Sequence, residues 1–256
     1  MSVNNAESNK RCKMMPAAEE LRDEILFKQP ESSHRGDCPI CLLPHPIDVT
    51  KTMFQSCCSK TICRGCFITD PSMNCPFCRH HIPSDDEEGD RLCDILIMKR
   101  IEANDPEAMY QLASELHEEE DYSKAFEYLS KAAELGNIDA HYLLSVMYER
   151  AQGVEKDDEE KRLYHLKVAA IAGCHFARYN LGCIEMQKDK EERALKHWII
   201  GAKLGFDHSL ERVKDAHEDG LISDVAFAEV VRAYQAAVDA TKSPQRDEAE
   251  NRKNPS

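Results

Sequence analysis

Eight cysteines fall within the stretch from Cys38 to Cys78, ordered as Cys38-x-x-Cys41, Cys57-Cys58, Cys63-x-x-Cys66 and Cys75-x-x-Cys78. Two thiolates three positions apart on one tight turn grip a single zinc ion, and eight thiolates make two closed tetrahedral sites. A closed site leaves no coordination position for a substrate water. The pattern therefore points to two structural Zn2+ ions and not to zinc that does chemistry. Spacing alone allows two pairings. The sites either interleave or follow one another as two ribbons, with 38/41 joined to 57/58 and 63/66 joined to 75/78. A module of about 40 residues cannot usually fold on burial alone, whereas a structural zinc supplies on the order of 10 kcal/mol against chain entropy.

Composition narrows what surrounds this module. The chain has 256 residues and a formal net charge of −14, a poor match for a phosphate backbone, so no nucleic-acid partner is expected. No apolar run approaches the roughly 18–20 residues needed to span a bilayer, and the N-terminus lacks the apolar core of a signal peptide. Twelve cysteines, most in one cluster, fit metal binding in a reducing cytoplasm or nucleus better than disulfides in a secreted protein. No phosphate-binding glycine loop or hydrolytic triad is evident.

The elements that carry the module divide the chain into six parts. Residues 1–36 read as a largely disordered segment with one amphipathic helix over 17–28, marked by Ala18, Leu21 and Ile25. Residues 37–83 hold the cysteines. Residues 84–103 read as a linker helix with Ser84 or Asp85 as N-cap, burying a stripe of Leu92, Ile95, Met98 and Ile101. From 104 to 210 the chain repeats itself. Three segments end at Gly136, Gly173 and Gly205, each followed after four residues by Ala140, Ala177 or Ser209. Tyr110, Tyr142 and Tyr179 then recur in phase, as do Leu112, Leu144 and Leu181, and a small residue follows each leucine (Ala113, Ser145, Gly182). Each unit is thus a pair of antiparallel helices ended by a glycine in the left-handed conformation, with small residues where helices approach closely. Trp198 aligns with Leu129 and Leu166 as core. Residues 211–241 read as helices that cap the solenoid, and 242–256 as a disordered tail. The fold class is mostly α: a small two-zinc module of short β-hairpin plus helix, joined to an α-solenoid.

Two family resemblances follow from these residues. The loop Gly153-Val154-Glu155-Lys156-Asp157, running into a helix that ends Val168-Ala169-Ala170-Ile171-Ala172-Gly173, resembles the Sel-1-like repeat, a relative of the tetratricopeptide repeat. That likeness implies a solenoid that binds proteins; it is clear in one unit and degenerate in the other two. The order and spacing of the cysteines resemble the RING finger in its all-cysteine form. The resemblance implies a cross-brace, with Cys38, Cys41, Cys63 and Cys66 on one ion and Cys57, Cys58, Cys75 and Cys78 on the other. It departs from the family at Lys60, where most RING fingers carry a histidine ligand. Cys57 and Cys58 must then both serve one ion, or His80 or His81 replaces Cys57.

In RING ubiquitin ligases the positions of Ile40 and Pro76 contact the ubiquitin-conjugating enzyme, and that of Arg79 clamps enzyme and ubiquitin together. Arginine suits a clamp because its planar fork donates to carbonyls on both partners. The large apolar residue usual after the sixth ligand is absent, Asp70 standing near its place, and Ile68 or Met73 is the substitute. The expected function is a ubiquitin ligase that acts without a nucleophile of its own, its solenoid recruiting the protein substrate. The alternative is a non-catalytic zinc scaffold for protein–protein contacts.

Overall fold

The computed structural model describes residues 23–69, 74–81, 87–154 and 158–253. In chain order its elements are helix α1 (Asp23–Leu26), hairpin strands β1 (Thr52–Gln55) and β2 (Lys60–Cys63), and helices α2 (Arg64–Ile68) and α3 (Glu87–Glu102). The repeat helices follow: α4 (Pro106–Glu118), α5 (Tyr122–Glu134), α6 (Ile138–Arg150), α7 (Glu159–Ile171), α8 (His175–Gln187) and α9 (Glu191–Lys203). Last come α10 (Asp207–Glu218), α11 (Asp224–Ala240) and α12 (Pro244–Lys253).

Repeated sequence produces repeated geometry. Gly136, Gly173 and Gly205 take φ of 92°, 98° and 90°, the left-handed region that ends a helix and that a side chain would strain. The small residues four positions on are fully buried, as are Leu129 and Leu166 at the position that Trp198 fills in the third unit. Gly182 is required by that tryptophan. A Cβ there would overlap the indole, whose Nε1 donates to the Tyr179 carbonyl at 3.3 Å. Three apolar clusters, centred on Leu129, Leu166 and Trp198, run the length of the stack. α10 and α11 close the last cluster with Val213 and Val230.

The segment ahead of the cysteines differs from its expected disorder. Residues 1–22, with Ala18 and Leu21 of the expected helix, lie outside the described residues. From Asp23 the chain is a packed strap. Leu26 is buried against Leu166, Ala169 and Leu181, while Ile25 is exposed. The helix stops at Leu26, whose carbonyl takes a hydrogen bond from the buried Arg178 guanidinium, which also reaches the Lys28 carbonyl at 3.4 Å. His34 and Arg35 then bind the Asp139 carboxylate in the first turn of α6, at 3.0 and 2.9 Å. Burial alone would raise Asp139, but the hydrogen bonds from His34 and Arg35 and the guanidinium charge hold its carboxyl down at about 2.

Two further expectations are corrected. Leu92, Ile95 and Met98 on α3 do not bury; the helix instead turns Ile97 inward and packs Ile101 against the first repeat. Residues spaced strictly by three fall back about 60° per step around an α-helix, so Leu92 and Ile101 lie on opposite faces and no single contact covers both. The expected N-caps Ser84 and Asp85 lie outside the described residues. The tail is also not without structure, since α12 packs against α2. Among its described side chains only Arg246 and Ala249 are buried, too few to leave an apolar period in the sequence.

Candidate metal centre

The hairpin sets the cysteines. β1 and β2 pair antiparallel from Thr52–Cys63 to Gln55–Lys60, and the tight turn between them carries Cys57, Cys58 and Ser59, the last at φ 53°. Cys63 ends β2 and Cys66 lies one turn into α2, so strand and helix together present one pair of thiols. Cys38 and Cys41 flank a second turn, fixed by a 2.9 Å bond from the Leu42 N–H to the Cys38 carbonyl. The Arg79 N–H bonds the Cys75 carbonyl at 2.8 Å and shapes the last turn in the same way.

These turns gather the thiols into two groups of four. Cys38, Cys41, Cys63 and Cys66 form one, Cys57, Cys58, Cys75 and Cys78 the other, and within each group every sulfur lies within 4.8 Å of the rest. The groups interleave along the chain, which is the cross-brace order and not the sequential one. Cys57 stands in the second group, 3.3 Å from Cys78, while His80 and His81 are exposed outside it. Two zinc–sulfur bonds of about 2.3 Å at a tetrahedral angle separate their sulfurs by about 3.8 Å. The Cys41–Cys63 and Cys58–Cys75 separations are both 3.8 Å. Burial raises Cys57 and Cys58, and a hydrogen bond between Cys38 and Cys63 lowers the former as it raises the latter. Four crowded thiols resist ionising together unless a cation offsets their charge. The residues present fit two tetrahedral zinc sites.

The other singled-out residues surround these groups. Ile40 is exposed, as are Arg79 and Phe77, while Pro76 and Ile68 are half-buried. Arg79 is held at φ 61°, and its side chain makes no ion pair among the described residues. Asp70 and Met73 lie outside the described residues. Three contributors escaped the sequence. Leu42 and Phe77 extend the exposed apolar surface beside Ile40 and Pro76; Phe77 carried a signal, since an aromatic between two metal-turn cysteines has no core to enter.

The third contributor is Arg246, only 7% exposed, which reaches the first thiol group from α12. Its guanidinium donates to the carbonyls of Pro44 (2.7 Å), Thr241 (2.6 Å) and Leu43 (3.3 Å), and to the Cys41 sulfur at 3.4 Å. Gly65 on α2 makes room for this approach, because a Cβ there would lie 2.9 Å from the Arg246 backbone nitrogen.

The module is seated on the solenoid along the row of turns where one repeat hands over to the next. Ile47 rests on Gly205, the strap backbone at Ser32 crosses Gly173, and His34 and Arg35 hold Asp139 beyond Gly136. On the other side, the Arg100 guanidinium of α3 binds the Cys57 carbonyl.

Comparison with known proteins bears on the solenoid. Residues 106–137 and 138–174 match the Sel1 repeat family model, which extends the likeness to the first unit, where the sequence motif is degenerate. The crystal structure of a Sel1 repeat protein from Oxalobacter formigenes superposes with a TM-score of 0.52 at 20% identity, covering 70% of this chain and 52% of that one. A second similar structure is c5321, a protective antigen of uropathogenic Escherichia coli with an SLR fold (TM-score 0.48, 18% identity, 63% of this chain and 42% of that one). The chain thus spans about half the length of the first of these structures. No curated protein matches it. The family match identifies Sel1 repeats over residues 106–174, and the likeness to the Oxalobacter formigenes structure shows a helical solenoid fold. Among the described residues no helix is long and apolar enough to cross a membrane.

Proposed function

We propose that the protein is a RING-type ubiquitin ligase whose Sel1 solenoid holds protein partners. The observation that carries this reading is the interleaved pair of four-thiol groups, with Ile40, Pro76 and Arg79 at the family's contact positions. Zinc would fix the three turns and take no part in the reaction, because four cysteines fill each coordination sphere. Ile40, Pro76 and Ile68 would dock a ubiquitin-charged conjugating enzyme, with Leu42 and Phe77 enlarging the apolar contact. Phe77 offers the bulk that the loop after Cys66 lacks. Arg79 would donate hydrogen bonds to carbonyls of both the enzyme and its ubiquitin, restricting the ubiquitin to a reactive pose. A substrate lysine amine then attacks the thioester carbonyl, the carbon–sulfur bond breaks, and the thiol leaves on the conjugating enzyme. The ligase contributes orientation and no nucleophile.

Discharge of charged conjugating enzymes to free lysine, across a panel of them, tests this reading. We expect discharge with at least one enzyme and a loss of roughly tenfold or more in Arg79→Ala, one charged hydrogen-bonding group being worth about 1.5–3 kcal/mol. No discharge with any enzyme, from protein carrying two zincs per chain, would overturn it.

A second reading, a non-catalytic zinc scaffold, is favoured by the seating of the module. Ile47, Arg100 and Arg246 tie it to the solenoid at three points, as a structural cap would be tied.

A further inference from the structure

We propose that the groove between α3 and α4 is a docking site for a basic amphipathic helix of a partner protein. The proposal rests on the solenoid's role in protein binding and is independent of ligase activity. The chain's own strap and cysteine module already cover the row of inter-repeat turns, so a partner must use another surface. The face of α3 is available: Leu92, Ile95 and Met98 are 38%, 51% and 43% exposed. Single exposed apolar residues are ordinary, but Met98 also lines an apolar groove, with Ile95 exposed about one turn before it.

The groove defines what fits. Its volume is about 230 Å³, with Ile97, Met98, Leu112 and Leu116 as apolar lining and Asp94, Glu115 and Glu119 as its only charged lining. That is below the roughly 300–1,000 Å³ of small-molecule sites and suits one or two aliphatic side chains, as a peptide helix inserts its anchors. The rim is acidic throughout. Asp94 faces Glu115 and Glu119 across the groove, and none of the three makes an ion pair among the described residues. Burial, together with Asp94, Glu119 and Glu118, pushes the Glu115 carboxyl up. A ligand that carries lysine or arginine beside its apolar anchors relieves this repulsion as it buries the groove. A second copy of the chain does not, because a two-fold contact would set one acidic rim against another on molecules of charge −14.

Fluorescence anisotropy on the full chain tests the proposal. The probe is a labelled helical peptide with leucine at every third or fourth position and lysine or arginine between them. A scrambled peptide of equal composition and a peptide with glutamate for each cation are the controls. We expect saturable binding that weakens with salt and at least tenfold weaker binding of both controls. Met98→Asp should weaken the probe at least tenfold, and Glu115→Gln with Glu119→Gln severalfold. Met98 is exposed and the glutamines are isosteric, so these variants keep the fold, and Ile95→Ala provides a second apolar test. Equal binding of the scrambled peptide, or no effect of Met98→Asp and Ile95→Ala, would overturn the proposal. Markedly tighter probe binding after deletion of residues 1–16 would assign the groove to the chain's own N-terminal segment. Self-association abolished by Met98→Asp would assign it to a second copy. Either result would also overturn the proposal.

Discussion

Replacing Arg246 with alanine removes a side chain that joins α12 to the first thiol group. Four acceptors lose a charged donor: the carbonyls of Pro44, Leu43 and Thr241, and the Cys41 sulfur. Each such bond is worth about 1.5–3 kcal/mol, but water reaches the freed carbonyls once α12 loosens, so the net cost is about 2–3 kcal/mol and not the sum. Part of that cost falls on the metal, since an N–H donor to a ligating sulfur stabilises the thiolate. We expect the ion held by Cys38, Cys41, Cys63 and Cys66 to bind roughly 10- to 100-fold more weakly, with the other ion unaffected. Zinc release from the full-length protein into a chromophoric chelator resolves the two ions as two phases. Only the phase that belongs to the Cys38, Cys41, Cys63 and Cys66 site, identified as the one that survives Cys57→Ser, should accelerate in Arg246→Ala. Arg246→Lys should fall between, because an ammonium cannot reproduce the planar fork. Unchanged release, or equal acceleration of both phases, would refute a local role for Arg246.

Three other outcomes are expected. The protein should bind two zincs per chain by elemental analysis, Cys57→Ser should lose one and His80→Ala none, and a strong chelator should expose the module to protease while the solenoid helices persist in circular dichroism. Acid should weaken the solenoid, because burial holds His141 at about 4 and His165, His175 and His197 at about 3, while the unfolded imidazoles charge near 6.5. The unfolded state thus binds more protons, and stability present above about pH 6.5 falls towards pH 4 by up to about 1.4 kcal/mol per pH unit for each histidine; a denaturant midpoint, followed by Trp198 fluorescence, that stayed level from pH 7 to about 5 would contradict this. Gly182→Ala should cost about 1–3 kcal/mol by overpacking Trp198, measured as a lowered denaturation midpoint, whereas the same change at Gly220, which has open space but φ of 75°, should cost only about 1 kcal/mol of backbone strain.

What the sequence disclosed was whatever repeats or pairs at short range. The cysteine spacing, the glycine turns and the small residue behind each leucine are local requirements, so they are written where they act. Cys57 could be assigned provisionally for the same reason, with the structure placing it beside Cys78. Long-range contacts left no such trace. Arg246 belongs to a helix of almost wholly polar composition, and nothing near it in sequence names Pro44 as its partner. Arg178 likewise caps a helix some 150 positions earlier, and a lone arginine among repeat residues looks solvated until its burial is seen. The apolar residues of α3 misled in the opposite sense. They read as a stripe, but their spacing drifts around the helix, and it is Ile97 and Ile101 that turn inward.

The contact between Arg246 and Cys41 also sets an order in time. The two residues are 205 positions apart, so a ribosome adding about 5–20 residues per second delivers α12 about 10–40 s after the first cysteine turn. During that interval the thiols can take up metal without their distant arginine. Closing so long a loop costs little more than closing a short one, because the entropy grows only with the logarithm of its length. The nascent module is therefore more open to chelators and oxidants than the finished one, and the last step of its maturation waits for synthesis of the rest of the protein.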